Sequence, residues 1–480
     1  MPDYIKVRQT DGTDVLFERE PIASGGEKVV FFTKDRQHIV AFFFGELADR
    51  LERKRRLERI LGQFNPTLSG AQSAYWQRHF CWPVGIVDGD CGMSPDFLRR
   101  HAIRSPALGL VAPVYRPNFF FRDRTGNLRE KKGKWFTSAK VRKLLPDEER
   151  GNFLRYLQCG SIMASAVRRL HYAGLAHADL SHNNVLIDPK GGDACVIDID
   201  SLVVPGLAPP TVLGTPGYIA PEVVSGKKLP SIETDMHALA VLLYETLLLR
   251  HPLQGPKVRS TRSAEEDELL SMGREALFVE HPTDRTNWIR PTPKVPLSRL
   301  GPYLEPLFLK TFVEALHAPA RRASASEWEK ALSKTFDLIH PSPGGHEWFV
   351  LSPGMPMACP STGGRLTAPV PCAEFYREKS PGERAFKAEG HSLTIWHNMY
   401  IYKWHLFSGV SALDADRTPQ GYFSFHQGRW WLVNQSGADM CIIDGEYVPH
   451  GEAVEVRPGL RLLLSEEPGA RLAAFDFMRP

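Results

Sequence analysis

His177-Ala178-Asp179-Leu180-Ser181-His182-Asn183-Asn184, followed by Asp198-Ile199-Asp200 where the run ACVID closes, is the stretch on which the reading of this 480-residue chain turns. Transfer of a phosphoryl group from a nucleotide needs a carboxylate to orient the acceptor hydroxyl. It also needs a second carboxylate with an amide oxygen to hold magnesium, and a cation on the phosphates. Asp179 and Asn184 stand on a loop entering one β run and Asp198 ends the next, so the first three groups come in the order and spacing this chemistry uses. Either piece alone recurs by chance in long chains.

Downstream, Gly214-Thr215-Pro216-Gly217-Tyr218-Ile219-Ala220-Pro221-Glu222 resembles the end of a protein-kinase activation segment. Small-molecule phosphotransferases of the aminoglycoside type share the HxDxxxxN loop but lack this peptide-docking segment. Asp235 in TDMHALAVLLYE matches the aspartate that opens the central kinase helix and braces the catalytic loop. Arg322 looks like the arginine that pairs with Glu222. The resemblance covers residues 15 to 335 in order and implies an α+β two-lobed protein kinase fold, with ATP and Mg²⁺ or Mn²⁺ as cofactors and a Ser/Thr hydroxyl as acceptor. It assigns Asp179 and Thr215 to the catalytic site and Asn184 and Asp198 to the metal. Ala178 stands where many kinases have a phosphate-binding arginine, and Ser181 where serine/threonine kinases carry a lysine, so the loop resembles an atypical member.

The amino-terminal part departs further. Ile22-Ala23-Ser24-Gly25-Gly26-Glu27-Lys28-Val29-Val30 occupies the glycine-loop place, with Ala23 and Lys28 at its first and third glycines. The resemblance carries Ala23, Ser24, Gly25, Gly26, Lys28, Ala41, Pro113, Val114, Tyr115 and Leu186 over to the nucleotide pocket. The strand His38-Ile39-Val40-Ala41-Phe42-Phe43-Phe44 should hold the phosphate lysine two residues past Val40-Ala41, give or take one, and phenylalanines stand there. Two readings stay open. The phosphate cation is missing and the chain is a pseudokinase scaffold that binds nucleotide or partners without transfer; or Lys28 reaches in from the glycine loop, as in the eukaryotic with-no-lysine kinases. The second is preferred, since an ammonium on a long stem can approach the phosphates from either strand. A helix over 46–63 should then turn Glu58 toward Lys28, with Glu52 as the alternative. Its arginines and lysines form either a solvated face or a docking face for an acidic partner. A second basic run, RDRTGNLREKKGKWFTSAKVRK, reads as a loop at the cleft mouth.

Residues Met272 to Asn287 (MGREALFVEHPTDRTN), with Leu316-His317-Ala318-Pro319 and Glu327-Trp328, resemble bacterial kinases encoded beside a von Willebrand factor A protein and a PP2C-type phosphatase, in tellurium-resistance and other stress loci. That resemblance implies the von Willebrand factor A protein as partner and substrate, and the phosphatase as the enzyme that reverses the mark. A Pro/Gly-rich change of composition after residue 336 sets a boundary near 340. The chain divides into a kinase amino lobe (1–115), a carboxy lobe (116–338), a linker (339–385) and a β-sandwich (386–480). LTI at 393–395, Gly428-Arg429-Trp430-Trp431-Leu432-Val433-Asn434, Gly445-Glu446-Tyr447-Val448 and Gly459-Leu460-Arg461-Leu462 resemble a forkhead-associated domain. Trp396-His397 follow its first strand and the usual serine has no equivalent, so a degenerate module that packs on the kinase or binds a partner is preferred to a phosphothreonine reader.

Hydrophobic residues at 42%, charged residues at 24% and a net charge of +4 describe an ordinary globular chain and give no support to nucleic-acid binding. No run approaches the about 20 apolar residues of a membrane span, and the polar start lacks a signal core, so a cytoplasmic location is expected. Seven cysteines without a CxxC pair point to reduced thiols. Cys359, Cys372, His391 and His397 could be imagined around zinc, but their spacing fits no familiar finger.

Overall fold

The computed structural model describes residues 4–44, 47–68, 70–210, 213–380, 383, 385–412, 415–443 and 445–480. They group as two units: Met1–Gly151 with Gln158–Ile289 and Phe308–Ser326, and Asn152–Leu157 with Arg290–Leu307 and Glu327–Pro480.

In the first unit, Tyr4–Arg8 (β1) and Asp14–Glu18 (β2) form a hairpin. Ala23–Ser24 (β3), Lys28–Phe32 (β4), His38–Phe43 (β5), Gly85–Asp88 (β6) and Leu108–Pro113 (β7) form an antiparallel sheet ordered β3-β4-β5-β7-β6. The apolar run of β5 reflects burial on both faces. Successive side chains of a strand point opposite ways, so Val40 and Phe42 enter a cluster with Phe17, Phe31 and Val87, while Ala41 and Phe43 enter another with Leu57, Ile86 and Leu108. Leu57 belongs to the helix Leu47–Leu61 (α1), which ends two residues short of the helix expected over 46–63; residue 46 lies outside the described residues.

The helix Phe153–Tyr172 buries Met163, Ala164, Val167 and Leu170 at helical spacing and gives way at Gly174, whose φ of +76° a side chain would strain. A hairpin of Val185–Asp188 and Asp193–Val196 follows the catalytic loop. The helix Ile232–Leu248 is buried at nearly every position from Thr234 onward, as its all-round apolar sequence predicts. Tyr244 on that helix meets Phe278 and Phe308 edge to face at 5.5 and 5.3 Å. No described helix is long and apolar enough to cross a membrane.

The second unit corrects the expected boundaries. The segment taken as a linker, 339–385, contains the strands Ile339–Pro341, Trp348–Val350 and Val370–Glu378. The last pairs on both sides, with Phe386–Thr394 and Arg471–Met478, inside a six-stranded sheet. That sheet shares a core with the four strands Tyr400–Ile401, Gly421–His426, Arg429–Asn434 and Ala453–Val456, through Phe375, Leu393, Phe423, Leu432, Leu462 and Phe475. The sandwich therefore starts earlier than its clearest strand signals, because Pro and Gly punctuation around VPCAEFYRE masks an ordinary strand. The imagined zinc ligands do not gather. His391 bonds to Asp337, His397 Nδ1 accepts from Phe425 N, and Cys372 Sγ donates to Asp476 O.

Candidate active site

The loop between the helix Phe153–Tyr172 and the strand Val185–Asp188 is held from beneath. Asp235, at the start of the helix Ile232–Leu248, accepts from His177 N at 2.6 Å and Ala178 N at 3.2 Å. His177, fully buried, bonds through Nε2 to Ile197 O at 2.9 Å, which ties the loop to the residue before Asp198. Ala178 and Asp198 both take left-handed backbone, with φ of +65° and +62°. That geometry costs a non-glycine residue roughly 1–2 kcal/mol and persists only where neighbours impose it.

Asp179 is fixed through both oxygens. Oδ1 accepts from Thr215 N and Thr215 Oγ1, each at 2.7 Å, and Oδ2 accepts from Asn184 Nδ2 at 2.8 Å. Asn184 Nδ2 also donates to Asp179 O at 2.8 Å, so both amide hydrogens are used and the carboxamide oxygen is the group left for a metal. Ser181 Oγ can donate to Thr215 Oγ1 at 3.0 Å, a neutral contact in the place where serine/threonine kinases carry a lysine.

Lys28 opens β4. Its partner in the β4–β5 ladder is Phe43, and Nζ lies 5.4 Å from the centre of the Phe43 ring. Nζ also lies 2.5 Å from Asp198 Oδ1 and 2.7 Å from Asp200 Oδ1. Burial works against the ammonium, but Asp200 and Asp198 outweigh it and raise the Lys28 pKa above the usual lysine range. Burial likewise disfavours the Asp198 carboxylate, and Lys28 overrides it, bringing its pKa down to about 2. The phenylalanine in the strand-lysine place is thus Phe43, and the lysine sits opposite it.

Gly25 N closes the turn on Lys28 O at 2.9 Å, and Ala23 and Ser24 are exposed on β3. Ala41 and Leu186 are buried in two apolar clusters that share Cys81, with Ile197 and Tyr115 beside Leu186. Val114 N donates to Gln37 O at 3.0 Å, and Pro113 O accepts from Cys81 Sγ at 3.3 Å. Cys81 was not anticipated, since nothing in its sequence surroundings sets it apart from a core cysteine.

Glu58 does not face Lys28. Its side chain is half exposed and lies 3.7 Å from Lys54, which is 2.6 Å from Asp88. Residues 54 and 58 share one face of α1, whereas Glu52, Arg53 and Arg56 share the face toward Asp200. Glu52, the alternative, lies 3.8 Å from Arg56. Part of the basic helix is engaged by neighbouring groups. Arg50 and Lys54 meet Asp88, Arg53 meets Glu27 at 3.1 Å, and Arg56 donates to Ala208 O at 2.8 Å.

The second basic run is more than a loop at the cleft mouth. Lys131 is 3% exposed and bonds to Asp188 at 2.8 Å and Glu149 at 2.5 Å, and Lys134 N donates to His182 O at 3.1 Å. A Cβ on Gly133 would stand 2.9 Å from Val185 Cγ2 and 3.0 Å from His182 O, so glycine lets this turn rest on the catalytic loop. The alternation of charge in REKKGKW conceals one buried lysine among solvated ones.

Among the described residues no group of three or more His, Cys, Asp or Glu is placed to hold a metal. Asn184 Oδ1 and the Asp198 carboxylate are the two oxygen donors that could hold a metal. Magnesium accepts such a set, because it keeps several waters and binds through one or two carboxylates plus phosphate oxygens. The ammonium on Asp198 shows that this carboxylate already attracts a cation.

Residues 139–327 match the protein kinase domain family. Over 129 residues the chain is 34% identical to a probable serine/threonine-protein kinase of Zea mays, covering 25% of this chain and 19% of that one. Over 194 residues it is 25% identical to a serine/threonine-protein kinase of Myxococcus xanthus, covering 38% and 31%. The chain thus spans between a fifth and a third of the length of these relatives. A Toxoplasma gondii rhoptry antigen kinase domain overlaps 68% of this chain and 85% of its own at 13% identity and a TM-score of 0.41, too partial an overlap to argue from. The loop with Asp179, Asn184 and Asp198 lies inside the residues that match the protein kinase domain family.

Proposed function

We propose that this chain transfers the γ-phosphoryl group of ATP to a serine or threonine hydroxyl of a protein in the cytoplasm, with Lys28 standing in for the strand lysine. The observation that carries this reading is the 2.5 Å approach of Lys28 Nζ, from the glycine-loop side, to Asp198 beside Asn184 and Asp179. Bound Mg²⁺ or Mn²⁺ would neutralise charge on the phosphates. Asn184 Oδ1 and Asp198 are the groups that would hold it. Asp179, oriented by Thr215 and Asn184, receives the hydrogen bond of the acceptor hydroxyl and takes its proton as transfer proceeds. Ser181 brings no charge to the phosphoryl group, so that task falls on Lys28. Ala178 offers no cation to an activation-segment phosphate, which fits activity independent of phosphorylation there.

The resemblance carried by residues 272–287 supports a von Willebrand factor A protein as substrate and a PP2C-type phosphatase as its counterpart, in bacterial stress signalling that includes tellurium resistance. The sandwich supports a forkhead-associated-like module that packs or recruits rather than reading phosphothreonine.

Radiolabelled ATP offered with partner candidates to wild type, Lys28→Met and Asp198→Ala tests the reading. Transfer abolished in Asp198→Ala and reduced about 100-fold or more in Lys28→Met is expected. Transfer that survives Lys28→Met sinks the displaced lysine. None from the wild type leaves the nucleotide- or partner-binding scaffold.

A further inference from the structure

A lysine on a long stem serves phosphates only if something holds it there, and among the described residues no carboxylate of α1 bonds to Lys28. The α1 face beside Asp200 lines a small cavity with Asp49, Glu52, Arg53 and Arg56. Glu52 lies against Arg56 at 3.8 Å, and the Arg53 guanidinium lies 4.6 Å from the Phe43 ring centre. The ring beside Lys28 is therefore covered by a cation of the helix, where a lysine needs an anion.

Asp200 presents the anion. Its side chain is 5% exposed, its Oδ1 is 2.7 Å from Lys28 Nζ, and the short turn Ile199–Ser201 brings it and Asp198 onto the same ammonium. Burial shields this contact from water and salt, so it is stronger than an exposed pair at the same distance. Neither holding metal nor orienting the acceptor requires Asp200.

We propose that Asp200 is a positioning residue, the counter-ion that holds Lys28 for the nucleotide phosphates in place of a helix glutamate. The inference rests on the phosphoryl-transfer reading above. An ammonium has three hydrogens to donate. When Asp198 turns to the metal, Lys28 keeps one hydrogen on Asp200 and turns the others to the phosphates. The two acids thus divide the work, Asp198 for the metal and Asp200 for the lysine. Burial and the neighbouring Asp198 push the Asp200 carboxyl up, and Lys28 opposes them.

The test is the affinity of a fluorescent ATP analogue, with and without Mg²⁺, for full-length wild type, Lys28→Met, Asp200→Asn and the double variant, with melting temperature recorded for each. Asp200→Asn is expected to weaken binding about tenfold, the worth of one charge-assisted hydrogen bond. The double variant is expected to bind no more weakly than Lys28→Met alone, since Asp200 acts through the lysine. Asp200→Glu should recover most of the loss, and the Mg²⁺ concentration for half-maximal effect should not move. Additive losses, or a raised Mg²⁺ requirement in Asp200→Asn, overturn the proposal. So does unchanged binding in Asp200→Asn while Lys28→Met is weak; in that case Lys28 keeps its role and only the brace falls. If Lys28→Met binds as wild type, the displaced lysine itself is wrong. Should Asp200→Asn not fold, Asp200→Glu is compared in the two backgrounds. A change of affinity with Lys28 present and none in the Lys28→Met background supports the proposal, and equal changes overturn it.

Discussion

Lys28 and Phe43 face each other across the β4–β5 ladder, so moving the amine from one to the other shifts its root by a single strand spacing. Phe43 is 5% exposed, with both Lys28 and the Arg53 guanidinium against its ring. A Phe43→Lys change alone puts a third cation into this space and should lower stability by roughly 1–3 kcal/mol. In a Lys28→Met chain the same change restores one ammonium within reach of Asp198 and Asp200, and we expect it to regain about tenfold in ATP-analogue affinity over Lys28→Met. Binding titrations on the three variants check this, and no gain in the double variant would mean that the approach from β4 is essential. The absence of a strand lysine was legible in the sequence, because the position after Val40-Ala41 is fixed by pattern. Which phenylalanine replaced it was not. That depends on which sheet face each residue of β5 takes, and the whole run is buried on both.

At the scale of the element, the helix Ile232–Leu248 shows what periodicity reveals and what it hides. Its apolar circumference announced a buried helix, and Asp235 at its start was recognisable as the brace of the loop. Glu245, in the same buried helix, carries no sequence signal that sets it apart. Tyr218 from the activation segment bonds to its carboxyl, and the same hydroxyl meets His182 Nδ1 at 2.7 Å. Burial pushes the Glu245 pKa up to about 8. The native state therefore keeps a proton that the unfolded chain releases near the ordinary glutamate value, so stability present below that value is lost as pH rises toward 8. We expect the unfolding free energy to fall by a few kcal/mol between pH 5 and about 8, and Glu245→Gln, which can still accept from Tyr218, to flatten that slope. Urea denaturation of both chains across this range measures it, and equal slopes would count against the assignment. On α1, by contrast, the expected glutamate is not the one at the site. Apolar residues marked the core side, but nothing in the spacing of the acids and bases showed that Arg53 and Arg56, rather than Glu58, would lie near Lys28 and Asp200.

At the scale of the molecule, the composition shift near residue 340 is real, yet the chain does not divide there. Glu327–Pro480 belongs to one unit, so most of the helix Ala325–Phe336 folds with the sandwich. Asp337, just past that helix, is the reason. It is 6% exposed and accepts from His391 Nε2 at 2.6 Å and His405 Nε2 at 3.0 Å, while Thr394 N donates to its carbonyl at 2.6 Å. Tyr402 N donates to His405 Nδ1 at 2.8 Å, which fixes the tautomer that carries hydrogen on Nε2. Leu351 N donates to Leu338 O at 2.8 Å, and Thr394 Oγ1 donates to Leu351 O at 2.6 Å, extending the tie into the strands that were expected to be linker. Sequence alone could not show this, because the two histidines lie 54 and 68 positions from Asp337 and no local pattern links either to it. Asp337→Ala removes the shared acceptor and leaves both imidazoles buried without it. A loss of about 3–5 kcal/mol is expected, confined to the melting of this unit. Burial works against the Asp337 carboxylate, but the two histidines override it and hold the group below the usual carboxylate range. Its contribution is therefore present at neutral pH and is lost as pH falls below that range. A chain ended at residue 338, where composition suggests a cut, should leave Asp337 without its histidines and Lys334 without its bond to Gly390 O and melt lower or aggregate, whereas the full chain melts cooperatively in this unit. Calorimetry on the two chains and on Asp337→Ala decides it: a truncated chain as stable as the corresponding part of the whole would show that the sandwich is an appendage and Asp337 an incidental contact.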